Sequence, residues 1–246
     1  MTIENKNLQL SRGFVALKNR NHLSVEQNIR DILTLSTSEP AMSYRDTLMK
    51  LLARKSLVRG RITLSSGSVS DYYFDCKLTT LDPEGAVLTG YAFLELLREQ
   101  QITADAVGGL TMGADPIVSA IVVISQVQGK PLPGFLIRKE RKGHGREKCV
   151  EGFEGAKGAK VVIVDEVCTT GGSIIEAIEI AQAERFDIVA VVSLVDREEG
   201  GSEKLKQNYN YHALFTANEL LRENERFART ARDTSHTAES KTPIHR

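Results

Sequence analysis

Residues Val161–Ser173, reading VVIVDEVCTTGGS, constrain this chain more than any other stretch. Four β-branched apolar residues run into an acidic pair, Asp165–Glu166. A small-residue turn, Thr169-Thr170-Gly171-Gly172-Ser173, follows, and Ile174–Ala183 continues with helix-compatible spacing. The pattern predicts a buried strand, a tight turn and the N-terminus of a helix. In such a turn glycines let backbone N–H groups approach an anion, hydroxyls add donors, and the helix dipole favours negative charge. Phosphate suits the turn, while the carboxylates upstream suit sugar hydroxyls or a metal ion. The ligand expected is therefore phosphate at one end and polyol at the other. Neither a GxxxxGK[ST] loop nor a GxGxxG fingerprint occurs, which removes the usual mononucleotide and dinucleotide readings.

The rest of the chain keeps an α/β rhythm. A helix is expected from Tyr44, with Leu48, Leu51 and Leu52 at helical spacing, then two short strands, Arg61–Leu64 and Asp71–Asp75, joined by the turn Ser65–Ser68. Pro83 suits the first turn before a helix over Ala86–Glu99. Strands over Ala104–Gly108, Gly134–Arg138, Val161–Asp165 and Ile188–Val195 alternate with helices over Ala114–Ser125 and Ile174–Glu184. Continuously apolar strands of this kind imply a mostly parallel central sheet with helices on both faces. Ligands of such sheets sit beyond the carboxyl ends of the strands, where Gly109, Arg138, Asp165 and Arg197 are expected. Residues 1–41 read as a polar extension with one short helix around Ile29–Leu33, residues 42–221 as the domain, and 222–246 as a disordered tail rich in Arg, Glu, Thr and Ser.

Composition narrows the partners. Lys+Arg and Asp+Glu balance at 32 each, so no basic field points to nucleic acid. No apolar run approaches the ~20 residues that span a bilayer, and charged residues interrupt every apolar stretch near the N-terminus. Cys76, Cys149 and Cys168 lack metal or redox spacing, which suits a reducing cytoplasm. Cys168, though inside the turn segment, reads as a small apolar filler.

A second chemical segment, Arg138–Gly145, reads RKERKGHG. Charge runs are commonly no more than solvated faces, but this one follows an apolar strand and supplies the donors and positive charge a pyrophosphate leaving group needs. Gly143 and Gly145 around His144 make a flexible loop, whose closure would exclude water from the reacting centre. His144 could hydrogen-bond or protonate a phosphate oxygen. Asp165 and Glu166 would stabilise an oxocarbenium-like ribose.

These segments resemble the type I phosphoribosyltransferases, and in particular the orotate phosphoribosyltransferases. LSSGSVSDYYFD (Leu64–Asp75), GLTMGADPI (Gly109–Ile117), RKERKGHG, VDEVCTTGGS, VDREEGG (Val195–Gly201) and HALFT (His212–Thr216) occur in that family's order. The resemblance covers roughly Ser43 to Leu221 and implies a small N-terminal hood on the sheet. It implies that Arg138, Lys139, Lys142 and His144 contact the pyrophosphate of phosphoribosyl pyrophosphate (PRPP), with Arg138 or Lys139 reaching across a homodimer into a shared site. Asp165, Glu166, Val167, Cys168, Thr169, Thr170, Gly171, Gly172 and Ser173 would form the ribose-5-phosphate loop, with Lys142, His144, Asp165 and Glu166 as the catalytic group. Thr169 and Arg197 would contact orotate, with Tyr73 and Phe74 as an aromatic lid. Mg²⁺ would be held by PRPP rather than by the protein. Arg197 also points to an acidic base on physical grounds, since a cation at a strand end beside a phosphoribose site favours a carboxylate; the alternative is a surface salt bridge with Glu198 or Glu199. The chain departs from many relatives at Ser65, Ser68, Val69 and Met112-Gly113, where they carry basic or Tyr-Lys residues, and Glu166 replaces the commoner aspartate. Rival readings are a transferase for another base and a PRPP-sensing regulator, which would lack the catalytic loop and carry a nucleic-acid-binding module.

Overall fold

The apolar run that opens the turn segment lies at the middle of a six-stranded sheet. The computed structural model describes residues 43–63, 69–139 and 149–239. They belong to a unit that begins at Ser43. The strands are β1 (Leu57–Thr63), β2 (Val69–Phe74), β3 (Ala106–Leu110), β4 (Gly134–Ile137), β5 (Val150–Glu151), β6 (Lys160–Cys168), β7 (Asp187–Asp196) and β8 (Tyr211–Thr216). The helices are α1 (Tyr44–Lys55), α2 (Lys77–Thr80), α3 (Pro83–Glu99), α4 (Asp115–Val127), α5 (Gly172–Ala183), α6 (Gly201–Lys206) and α7 (Ala217–Glu239). β1 and β2 pair antiparallel as a separate two-stranded hood, and the main sheet runs β5-β4-β3-β6-β7-β8. Every neighbouring pair in it is parallel except β4 and β5.

Period-two alternation explains why β6 is apolar throughout. Val162 and Val164 join one core with Leu48 and Leu52 of α1, Phe93 of α3, Ile117 and Ile121 of α4 and Leu220 of α7. Val161 and Ile163 join the opposite core with Ile174 and Ile178 of α5 and Leu205 of α6. Burying each such side chain contributes about 1.5–3 kcal/mol, so the strand is held by packing on both faces. The mostly parallel, doubly covered sheet matches the sequence expectation. Local signals fix the helix starts. Ser43 Oγ accepts from the Asp46 N–H (3.1 Å) at α1. Asp82 Oδ1 accepts from the N–H groups of Glu84 (3.1 Å) and Gly85 (3.2 Å) at α3, whose first residue is Pro83.

Three expectations are corrected. β6, expected to end at Asp165, continues through Cys168, so Glu166 also lies within the strand; β7 pairs with it as far as Cys168↔Asp196 and keeps it extended. Gly109 likewise lies inside β3. Finally, residues 222–239 are helical, not a disordered tail. The aliphatic-poor composition hides a docking stripe at Leu220, Asn224 and Phe227. Leu220 is fully buried, Asn224 Nδ2 donates to the Ala53 carbonyl of α1 (2.8 Å), and the Arg54 guanidinium lies 4.8 Å over the Phe227 ring. The expectations for residues 1–41, for the Ser65–Ser68 turn and for Lys142 and His144 fall outside the described residues.

Shortening the chain tests this docking. The Asn224 bond contributes about 0.5–1.5 kcal/mol and the Arg54–Phe227 contact about 0.5–1 kcal/mol. A chain ending at Leu221 should therefore be less stable in urea than one ending at Thr230 by roughly 1–2.5 kcal/mol. Coincident unfolding curves would contradict the docking.

Candidate active site

The carboxyl ends of β6 and β7 meet the loops that follow them, and the chemistry gathers there. Asp165 and Glu166 are both buried, at 8% exposure. Each oxygen of Asp165 accepts one hydrogen bond: Oδ1 from the Glu166 N–H (2.7 Å) and Oδ2 from the Ser173 hydroxyl (2.7 Å), tying the strand to the first turn of α5. Glu166 is half engaged. Its Oε2 forms an ion pair with Lys77 Nζ of α2, while Oε1 is buried without a hydrogen-bond partner. Burial pushes both carboxyls above their ordinary range; Ser173 and the Glu166 amide restrain the rise at Asp165, and Lys77 restrains it at Glu166. Burial opposes the charge on Lys77 as well, but its bond to Glu166 prevails and raises it above an ordinary lysine. The β3–α4 turn closes over the pair so tightly that a Cβ on Gly113 would stand 2.9 Å from Asp165 Oδ1.

Beyond Cys168 the chain makes the small-residue loop. Thr169 is half-buried, Thr170 is exposed, and Gly171 takes φ +81°, a left-handed turn that glycine enters without steric cost. Gly171 caps α5 with no side-chain bond, and Gly172 and Ser173 are exposed at its first turn. The leading amides of a helix have no intrahelical acceptor, so this end carries donors suited to an anion. The loop is braced from behind by α6: the Gly201 N–H donates to the Thr169 carbonyl (3.1 Å), and a Cβ on Gly201 would stand 2.6 Å from that oxygen. Val167 is half-buried. Cys168 is fully buried beside Tyr211, and burial pushes its thiol up to about 11, as expected of a packing residue.

Arg197 follows β7, and its N–H donates to the Cys168 carbonyl (2.9 Å), which places it directly beside the loop. The expected alternative, a salt bridge to Glu199, is present: Nη2 lies 2.8 Å from Glu199 Oε1 and Nε donates to the same oxygen (2.9 Å). It is no surface bridge, however, because the Arg197 side chain is only 3% exposed. Nη2 also donates to Ser70 Oγ of the hood (3.1 Å), and the guanidinium lies 4.8 Å over the Tyr72 ring. The hood therefore closes on Arg197 through Ser70 and Tyr72, which sequence reasoning missed. Phe74, expected in an aromatic lid, is corrected. Strand alternation turns it to the same side as Tyr72, where it packs at 2% exposure in the core and is unavailable to a ligand. Tyr73 is exposed on the other face, and its phenol is pushed up by burial and by the nearby Glu166 charge.

The start of the basic segment is anchored on carboxylates. Arg138 Nε lies 2.9 Å from Glu151 Oε1 of β5, and Lys139 Nζ lies 3.3 Å from Glu176 Oε2 of α5, with its charge acting on Asp165. Lys77 is the other residue that sequence reading missed. Its partner is 89 residues away, and no local spacing announces the contact. Among the described residues, no group of three or more His, Cys, Asp or Glu side chains is placed to hold a metal ion, and no helix is long and apolar enough to cross a membrane.

Comparison with known proteins agrees with this geometry. Residues 88–220 match the phosphoribosyl transferase domain. The chain is 41% identical over 181 residues to the orotate phosphoribosyltransferase of Rhodopseudomonas palustris strain BisB5, covering 72% of this chain and 96% of that protein. It is 40% identical over 184 residues to that of Aquifex aeolicus, covering 73% and 99%. The crystal structure of Mycobacterium tuberculosis orotate phosphoribosyltransferase in complex with PRPP superposes with a TM-score of 0.60 at 32% identity, covering 72% of this chain and 98% of that one. With a buried acidic pair, a glycine-rich loop opening a helix and a buried arginine beside them, the chain belongs to the orotate phosphoribosyltransferases of the phosphoribosyl transferase family.

Proposed function

We propose that this site transfers the ribose-5-phosphate of PRPP to orotate, giving orotidine 5′-monophosphate and pyrophosphate, as a step of pyrimidine biosynthesis. The observation that carries the choice of base is Arg197: a buried guanidinium, held by Glu199 and Ser70 at the edge of the loop. A buried cation there selects a carboxylate-bearing base over uracil, adenine or hypoxanthine. The loop from Thr169 to Ser173 takes the 5-phosphate, with Val167 and Cys168 as its supporting strand end. Asp165 and Glu166 take the ribose hydroxyls, and Glu166 Oε1, the buried acceptor without a partner, fits a hydroxyl donor.

In the transfer the bond from C1 of the ribose to the pyrophosphate oxygen breaks, orotate N1 forms the new bond at C1, and the N1 proton passes to the departing pyrophosphate. Positive charge that develops on the ring faces the carboxylates of Asp165 and Glu166. Negative charge on the departing pyrophosphate is met by Arg138, Lys139 and, in the same segment, Lys142 and His144. Thr169 and Tyr73 border the base. Mg²⁺ bound to PRPP would supply charge neutralisation at the pyrophosphate; it would be held by PRPP, because the carboxylates of the site are given to Lys77, Ser173 and the ribose.

We further propose a homodimer in the cytoplasm. An apolar groove of about 420 Å³ between α3 and α4, lined by Leu81, Ala86, Val87, Pro116 and Val123, is flanked by Leu81 at 67% and Val123 at 59% exposure. Contiguous apolar surface of this kind is suited to a second copy of the chain. The reducing compartment is supported by the three cysteines, all free.

Two variants test these readings. Arg197→Ala removes a charge-assisted contact worth ~2–4 kcal/mol, so kcat/KM for orotate should fall by one to three orders of magnitude while PRPP affinity by calorimetry stays nearly unchanged. Unchanged orotate use would reject Arg197 as the carboxylate partner. Leu81→Glu combined with Val123→Glu should convert a sedimenting dimer to monomer. A monomeric wild type would reject the assembly.

A further inference from the structure

Lys77 opens α2, and the ground beneath it is firm. Cys76 and Thr79 are fully buried, Thr80 nearly so, and Thr79 Oγ1 shares a hydrogen bond with Ser56 Oγ (2.7 Å) at the end of α1. The lysine backbone is thus fixed by four buried neighbours while its side chain, 34% exposed, reaches across to Glu166. Among the described residues, the other charges that act on that carboxylate, Asp165 and Asp75, are negative. Asp165 adjoins it on β6, Asp75 and Tyr73 face it from the end of β2, and the Cys76 thiol lies beneath; Lys139, an exposed side chain, acts on Asp165. Among the described residues, Lys77 is the cation that acts on Glu166. Without it, two adjacent buried carboxylates and Asp75 would share one small volume, an arrangement in which one carboxyl takes up a proton and ceases to be a pure acceptor.

We propose that Lys77 is a positioning residue for the transfer: its ammonium clamps Glu166 through Oε2 and leaves the buried Oε1 to accept a ribose hydroxyl. This inference rests on the reading of the acidic pair as the ribose site. Fixing one oxygen of a carboxylate by a charged partner orients the other, and mounting that partner on a packed helix makes the orientation available before substrate arrives. The hood and the helix after it thus each contribute to the site, through Ser70 and Tyr72 on Arg197 and through Lys77 of α2 on Glu166.

The test compares Lys77→Ala and Lys77→Arg with the wild type. Loss of the ammonium should move the acid limb of kcat/KM to higher pH by about one unit or more, and arginine, which keeps the charge and the donor, should restore the limb. A ¹³C titration of the Glu166 carboxyl, its resonance identified by its loss in Glu166→Gln, should show the group protonating at higher pH in Lys77→Ala than in the wild type. A carboxyl that titrates at the same pH in both, or an acid limb that does not move, would overturn the clamp. A wild type inert toward orotate would overturn the ribose reading instead, with the titration still deciding whether Lys77 governs Glu166.

Discussion

The parallel pairing of β6 with β7 holds the site together. From Val162↔Ala190 to Cys168↔Asp196 the two strands advance in register, and the Arg197 N–H continues the ladder onto the Cys168 carbonyl. That single line of hydrogen bonds brings the acidic pair, the small-residue loop and the guanidinium to the carboxyl end of the two strands. It can do so because both faces of β6 are buried: a slip of one residue would send Val162 and Val164 into the wrong core and turn Asp165 around.

Placing charge at that end has a cost, and the neighbouring elements offset it. Two adjacent carboxylates at 8% exposure would be poorly tolerated alone. Asp165 is satisfied by an amide and a hydroxyl, Glu166 by Lys77, and Arg197 by Glu199, Ser70 and the Tyr72 face. The partners come from β2, α2, β6, α5 and the loop after β7, so these elements are tied by the charges they neutralise. Gly113 and Gly201 matter for a related reason: their missing side chains let the β3–α4 turn and α6 lie against the carboxylates and the loop.

Much of this was legible in the residues, for identifiable reasons. β6 and α5 read clearly because an apolar run, an acidic pair and glycines succeed one another within thirteen positions, and Arg197 because it directly follows an apolar strand. The relevant contacts there are local or one strand away. Lys77 was not legible because its partner is distant in sequence and α2 is too short to have a period. The pleat of β2, which turns Tyr72 toward Arg197 and Phe74 into the core, depends on its register with β1, where Arg59↔Tyr72 is followed by an irregularity before Ile62↔Ser70. The helical stretch after Leu221 escaped because its docking stripe uses Asn224 and a single aromatic ring instead of aliphatic residues.

One buried end of the sheet joins PRPP to a carboxylate-bearing base. The direct measurement is release of pyrophosphate by the purified full-length protein with PRPP and Mg²⁺, run against orotate, uracil, adenine and hypoxanthine in parallel. With orotate, pyrophosphate should appear in equal amount to orotidine 5′-monophosphate, and the other three should give little release. Equal turnover of uracil and orotate, or release that ignores the base offered, would contradict it.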